Sequence, residues 1–352
     1  MDRFEQYLKP FYKGTISYYE SALILGEEGE VSFLYPIKKV IEVMDSNQEQ
    51  KYVEGKDFVI TEKGTLKRLK GSSLPYLPYD EYYLDKPNSQ VVVAVRPSIM
   101  KDKYFAFSEG DYFIKHQMCI TYEHDEINYG FNPINQSEKL PQFFAKLKNK
   151  QKPTFLFYGD SITVGCNATG TEYGGNRPPY MEPWSVLITK ELERRYNSPI
   201  NYVNTAVGGT TSEWGLDNIK ERAIDYHPDL VLIAFGMNDG SLDPNIHKER
   251  ILKMISLLED SNPNIEIILV STTVPNPNSN WAIGQDRFVD KIKEIQKDNV
   301  VIVDMTSVHK KLLEYKEFKD MTGNNVNHPN DYLIRVYAQI ILAAIEQKIN
   351  GL

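Results

Sequence analysis

The chain has 352 residues, 41% of them apolar and 12% aromatic, with a formal net charge of -8. That length and apolar content suit a folded protein with a sizeable core and two domains. The acidic balance argues against nucleic-acid binding and against attachment to anionic lipid.

Residues 1–136 read as strands. EVSFLYPIKKVIEVM (30–44), KDFVI (56–60), QVVVAVRP (90–97), KYFAF (103–107) and HQMCITYEHDE (116–126) are β-branched or aromatic runs. Turn-like EEG, TEKG, KPNS and SEGD separate them, and no long amphipathic helix intervenes. This spacing predicts an all-β sandwich or jelly-roll-like domain. GSSLPYLPYDEYY (71–83), with four tyrosines among prolines, reads as a packed surface loop, with a sugar-facing loop as the alternative.

Residues 137–152 read as a connecting helix and linker. From 153 to 352 the rhythm changes. TFLFYG, INYVNTAV, DLVLIAFG, IEIILVSTT and NVVIVDM are apolar runs suited to strands buried on both faces. Helical patterns alternate with them: WSVLITKELERRY, LDNIKERAIDY, KERILKMISLLE, DRFVDKIKEIQKD and finally DYLIRVYAQIILAAIEQKI. The alternation predicts an α/β domain with a central parallel sheet between helices. Chemistry in such a fold belongs at the carboxyl ends of the strands.

Four stretches fall there. In YGDSITVG, Ser161 directly follows the first strand, where it is either an exposed nucleophile or a helix N-cap. It is not a G-x-S-x-G elbow, since Thr163 stands where the second glycine would be. In NTAVGGTTS, Gly208 and Gly209 let the backbone come close to a ligand. In FGMNDGS, Asn238 offers an amide donor just beyond a buried strand. In NNVNHPNDY, His328 precedes the last helix and is the histidine best placed to act as a base toward a serine. His247 and His309 lie in polar helical surroundings, and His227 reads as a loop residue.

Other chemistry is disfavoured. Two cysteines, Cys119 and Cys166, are too few for a disulfide framework. No H-E-x-x-H and no zinc-like Cys/His spacing occurs, so neither metal nor other cofactor is expected. A nucleotide-binding Rossmann protein is disfavoured because no G-x-G-x-x-G follows a strand. The opening MDRFEQYLKPFYKG lacks a signal-peptide pattern, and no run of about 18 apolar residues is present. The expectation is a soluble cytoplasmic protein that needs neither membrane nor nucleic acid, with its oligomeric state open.

Together, Gly159-Asp160-Ser161, Gly209, Gly236-x-Asn238-Asp239 and His328-Pro329 resemble the blocks of the SGNH hydrolases, also called the GDSL esterase/lipase superfamily. The resemblance covers about residues 153–350. It implies that Ser161 is the nucleophile, His328 the general base, and Asp160 a structural brace. The amides of Ser161 and Gly209 and the side chain of Asn238 would form the oxyanion hole. Two departures stand out. Asn204-Thr205-Ala206 replaces the usual Asn-x-Gly, which alters packing more than chemistry. Asn325 occupies the place, three residues before the histidine, where the family commonly has an aspartate. The leading expectation is a Ser-His dyad whose histidine is held by a backbone carbonyl, with Asn325 as the other candidate orienter. Asp320 and Asp331 are possible distant acids.

A β domain before such a hydrolase domain resembles carbohydrate esterases. The expected function is a serine esterase that removes O-acetyl groups from oligosaccharides or another carbohydrate through an acyl-enzyme. The segment CNATGTEYGGNRPPYMEPW (166–184), with Trp184, Trp214 and Trp281, is the candidate sugar-binding surface. The alternatives are a lipase or lysophospholipase-type acyl esterase, and a non-catalytic carbohydrate-binding protein.

Overall fold

A computed structural model describes residues 1–85, 104–279 and 281–347. The run predicted as a strand at 90–97 lies outside the described residues. The N-terminal strands are β1 (Ile16–Leu23), β2 (Glu30–Val31), β3 (Lys39–Asp45), β4 (Lys51–Tyr52), β5 (Phe58–Ile60), β6 (Leu66–Arg68), β7 (Tyr83–Leu84), β8 (Tyr104–Phe105) and β9 (Gln117–Glu123). They form an antiparallel sheet in the order β1-β9-β3-β4, a smaller sheet β2-β6-β5 and the pair β7-β8. Strand β1 is absent from the sequence reading. Its centre carries Glu20, which looks like a surface acid but is fully buried against Lys316.

The second half follows the β/α alternation. β10 (Thr154–Gly159), β11 (Asn201–Asn204), β12 (Leu230–Ala234), β13 (Glu266–Val270) and β14 (Val300–Val303) form one parallel sheet in the order β11-β10-β12-β13-β14. Successive residues of a strand point to opposite faces. Phe155, Phe157, Leu232, Ile268 and Val301 accordingly join one core with the helices Trp184–Tyr196 and Asp331–Ile345. Leu156, Tyr158, Val231, Ile233 and Ile267 join a second core with the helix Pro244–Ser261. Both faces are covered, which is why these strands read as continuous apolar runs.

The last helix, Asp331–Ile345, is buried nearly all round. One side covers the parallel sheet and another meets the N-terminal region, where Arg335 donates to the Tyr18 and Tyr19 carbonyls and Gln339 spans Phe11 and Tyr7. The helix Pro141–Lys148 is packed rather than a free linker. Phe143, Phe144 and Leu147 are buried, and the amides of Gln142 and Phe143 donate to the Glu266 carboxylate. The helical pattern at 216–226 is broken into Ser212–Asp217 and Ile219–Arg222, and that at 286–298 contracts to Phe288–Lys293.

Candidate active site

The strand order puts β11 on one side of β10 and β12 on the other, so the chain reverses its direction of winding between β10 and β12. A crevice opens at the carboxyl ends of strands at such a switch point. Ser161 follows β10, Gly209 follows β11 and Asn238 follows β12. His328 arrives there on the loop ahead of the last helix.

Ser161 opens the short helix Ser161–Val164, and Asp160 caps it by accepting from the Ile162 amide at 3.0 Å. The first amides of a helix have no acceptor within it, so the Ser161 N–H is available to a ligand. Gly159 is required by close approach: a Cβ there would lie 2.3 Å from the Ala234 carbonyl oxygen and 2.3 Å from Thr163 Oγ1. Burial pushes the Asp160 carboxyl up to about 7 against its hydrogen bond with Ile162 and the influence of His328. Asp160 is thus a brace inside the turn.

Gly208 sits beside the serine, with its missing Cβ 3.8 Å from Ser161 Cβ. Gly209 has φ +77°, and nothing lies within 4 Å of where its Cβ would be, so its peptide turns over open space. The Asn238 side chain donates one amide hydrogen to the Thr210 carbonyl at 2.8 Å, which fixes it beside the Gly209 turn. Its amide group carries a second hydrogen for a ligand. Asp239 is buried and accepts from the Ser212 amide and hydroxyl, tying the β12 loop to the β11 loop.

His328 Nε2 lies 3.0 Å from Ser161 Oγ. Its Nδ1 is 2.8 Å from Asn167 Oδ1 and 3.2 Å from Glu109 Oε2. Asn167 is fully buried, and its amide nitrogen donates to the Gly110 and Tyr173 carbonyls, so its oxygen must face the imidazole. Nδ1 therefore carries the proton and Nε2 is left to accept from the serine hydroxyl. Asn324 braces the loop beneath: its side-chain oxygen accepts from the amides of Val326, Asn327 and His328, and its nitrogen donates to Glu109. Burial alone would raise the Glu109 carboxyl, but the hydrogen bonds from His328 and Asn324 outweigh it and hold it below the usual value.

These contacts correct the sequence reading. The partner of Nδ1 is neither a backbone carbonyl nor Asn325. Asn325, at φ 67°, points into the N-terminal region, where its side chain accepts from the Tyr82 hydroxyl and donates to the Ala106 carbonyl. Asp320 accepts from the Leu23 amide of β1, and Asp331 holds the Thr169 amide and hydroxyl. Burial raises Asp331 to about 6, and neither acid meets the imidazole. Asn167 and Glu109 lay unrecognised in segments read as a sugar cleft and a turn, because nothing in their local pattern marks an imidazole partner.

The three tryptophans separate. Trp184 is fully buried, donates to the Ile162 carbonyl and stacks on Tyr337, so it is core rather than sugar-binding. Trp214 is half-buried against Tyr158. Trp281 is 42% exposed. Its loop is tied to the Asn238 loop through Gln285, which donates to the carbonyls of Met237 and Trp281. The tyrosine-rich loop at 71–83 is packed: Leu74, Leu77 and Tyr82 are buried and Tyr76 lies under Arg68. His247 and His309 are buried on the inner faces of their helices rather than in polar surroundings. Among the described residues, no group of three His, Cys, Asp or Glu side chains converges to hold a metal ion.

A serine hydroxyl hydrogen-bonded to a singly protonated imidazole at the carboxyl ends of parallel strands is the arrangement of a serine acyl-transfer enzyme. Residues 157–332 match the GDSL-like Lipase/Acylhydrolase family, and the chain belongs to it. It is similar to an arylesterase of Vibrio mimicus, 30% identical over 138 residues, which are 39% of this chain and 62% of that protein. The chain thus spans less than two thirds of that relative's length. Among solved structures, a variant of an acetyl xylan esterase from Geobacillus stearothermophilus is 22% identical, covering 56% of this chain and 96% of that one with a TM-score of 0.44. A two-domain esterase active on acetylated mannans, crystallised with mannopentaose, is 22% identical over 59% of this chain and 53% of its own, with a TM-score of 0.48.

Proposed function

We propose that the protein hydrolyses O-acetyl esters of an oligosaccharide or other carbohydrate through an acetyl-serine intermediate. The 3.0 Å hydrogen bond between Ser161 Oγ and His328 Nε2 at the mouth of the β10–β12 crevice carries this reading. In the first half-reaction Ser161 Oγ bonds to the acyl carbon while its proton passes to His328 Nε2. The oxyanion is held by the amides of Ser161 and Gly209 and by the Asn238 side chain. Collapse breaks the bond to the sugar oxygen, which takes the proton from the imidazolium. Water then gives a proton to Nε2 and its oxygen to the acyl carbon, and acetate leaves as Ser161 recovers its proton.

Two observations support a small acyl group on a polar carrier. Ser161 is only 5% exposed and His328 only 8%, so the reacting side chains are largely enclosed by protein. The loop that carries Asn167 exposes Tyr173 and Tyr180, and the loop tied to the Asn238 loop through Gln285 exposes Trp281. Exposed flat rings on loops connected in this way suit sugar faces better than an acyl chain. The test is hydrolysis of acetylated oligosaccharides beside p-nitrophenyl acetate, butyrate and octanoate, with Ser161→Ala as control and mass spectrometry after a fluorophosphonate probe. Acetate turnover and an adduct on Ser161 are expected. Rates that rise with acyl length would replace this reading with a lipase, and glycan binding without Ser161-dependent turnover would replace it with a binding protein.

A further inference from the structure

We propose that Glu109, from the N-terminal region, is a positioning residue that supplies the negative charge the last block of the chain lacks opposite its histidine. This deepens the esterase reading and rests on it. His328 Nδ1 has two acceptors, and they differ in kind. Asn167 Oδ1, at 2.8 Å, is neutral, fully buried and anchored by two carbonyls. It sets the ring's orientation and tautomer. Glu109 Oε2, at 3.2 Å, is a carboxylate on a half-exposed side chain. When Ser161 gives its proton to Nε2, the Nδ1 proton stays, shared between these two oxygens, and Glu109 faces the new positive charge.

The division of roles explains how the chain dispenses with an aspartate at Asn325. That position is turned toward Tyr82 and Ala106, so a carboxylate there would not meet the imidazole. The Glu109 loop is instead held over the histidine from three directions. Asn324 donates to its Oε1 at 3.2 Å, Asn167 donates to the Gly110 carbonyl, and Asp111 pairs with Arg177 at 3.2 Å. Among the described residues, the other titratable groups acting on this cluster are Asp160, which acts on His328, and Cys166, a buried thiol pushed up to about 12 by burial and by Glu109. Both remain in place when Glu109 alone is changed.

The experiment compares wild type, Glu109→Gln and Glu109→Asp as full chains, with circular dichroism as the folding control. The imidazole resonance missing from His328→Ala is followed by NMR through a pH titration. Removing an opposing charge at this range should lower its midpoint by about one pH unit or more in Glu109→Gln. Glu109→Asp should restore part of that shift. In ester hydrolysis, Glu109→Gln should lower kcat about tenfold, the equivalent of one such unit, leave KM unchanged and move the acid limb of kcat/KM to lower pH. An unchanged midpoint in Glu109→Gln would overturn the proposal. If the wild type hydrolyses no ester, the function reading fails alone, because the NMR titration still decides what Glu109 does to the imidazole.

Discussion

The two regions of the molecule reach the same site by different routes. In the α/β region Ser161, Gly209 and Asn238 each stand just past a parallel strand, and His328 stands just before a helix, so position along the chain almost dictates position in space. The β region contributes by returning to the site through loops: Tyr82 and Ala106 to Asn325, Gly110 to Asn167, and Glu109 to His328. The first route uses a periodic architecture, and the second uses contacts between residues more than fifty positions apart. The comparison teaches that the N-terminal region is part of the framework around Ser161 and His328 and not an appended module. Its strand β1 shares one core with the last helix, whose Arg335 donates to the Tyr18 and Tyr19 carbonyls, and Glu20 of β1 pairs with the buried Lys316 ahead of that helix.

The largest expected effect tests that joint. Lys316 and Glu20 are both fully buried and 2.7 Å apart, and Glu20 also accepts from the Leu34 amide and the Tyr122 hydroxyl. Lys316→Met would strand a buried carboxylate and should cost about 3–5 kcal/mol in chemical denaturation, with both regions unfolding together. A change below about 0.5 kcal/mol, the range of ordinary surface substitutions, would break the picture of one framework.

Next comes the strand-end logic of the α/β region. Asn238→Ala removes a donor fixed beside the Gly209 turn and should lower kcat about a hundredfold or more, the range for a lost oxyanion donor, with modest change in KM. Wild-type kcat in this variant would take Asn238 out of the mechanism.

A paired substitution then separates local from long-range support of the histidine. Asn167→Ala removes the shorter acceptor at Nδ1 and should lower kcat about tenfold or more, since general-base catalysis depends on the ring's placement. Asn325→Ala should leave kcat near wild type and reduce stability by about 1–3 kcal/mol, because the Tyr82 hydroxyl and Ala106 carbonyl lose their partner. The reverse pattern, with Asn325→Ala carrying the kcat defect, would restore the expectation drawn from spacing alone.

The last test is of pH dependence. A carboxyl that titrates near 7 in the folded chain and near 3.8 in the unfolded one keeps its proton in the fold where the unfolded chain has lost it, as burial makes Asp160 do. Its contribution to stability is therefore greatest below about pH 4, is lost as pH rises toward 7 and is flat above that. Asp160→Asn should flatten the fall in Tm between pH 4 and 7. A Tm profile as steep as that of the wild type would show that Asp160 is not the titrating group.

Much of the α/β region was legible because its strands are buried on both faces and its helices on one, so burial writes itself into the sequence as long apolar runs and 3.6-residue repeats. The same regularity exposed the serine, glycine, asparagine and histidine blocks, since polar residues stand out where apolar strands end. Three things escaped. Strand β1 was missed because its buried Glu20 is compensated by Lys316, almost three hundred residues away. His309 looked polar because its helix is, although its own side chain faces inward. The partners of His328 were missed because Asn167 lies in an irregular loop and Glu109 in a turn of the other region. A hydrogen bond across such distances depends on where two loops are carried by the packing beneath them, and no local pattern encodes that. By itself, the sequence determined the layers, the strand ends and the pairing of Ser161 with His328. Tertiary structure alone decided which side chains hold the imidazole, because that choice is made where the two regions meet.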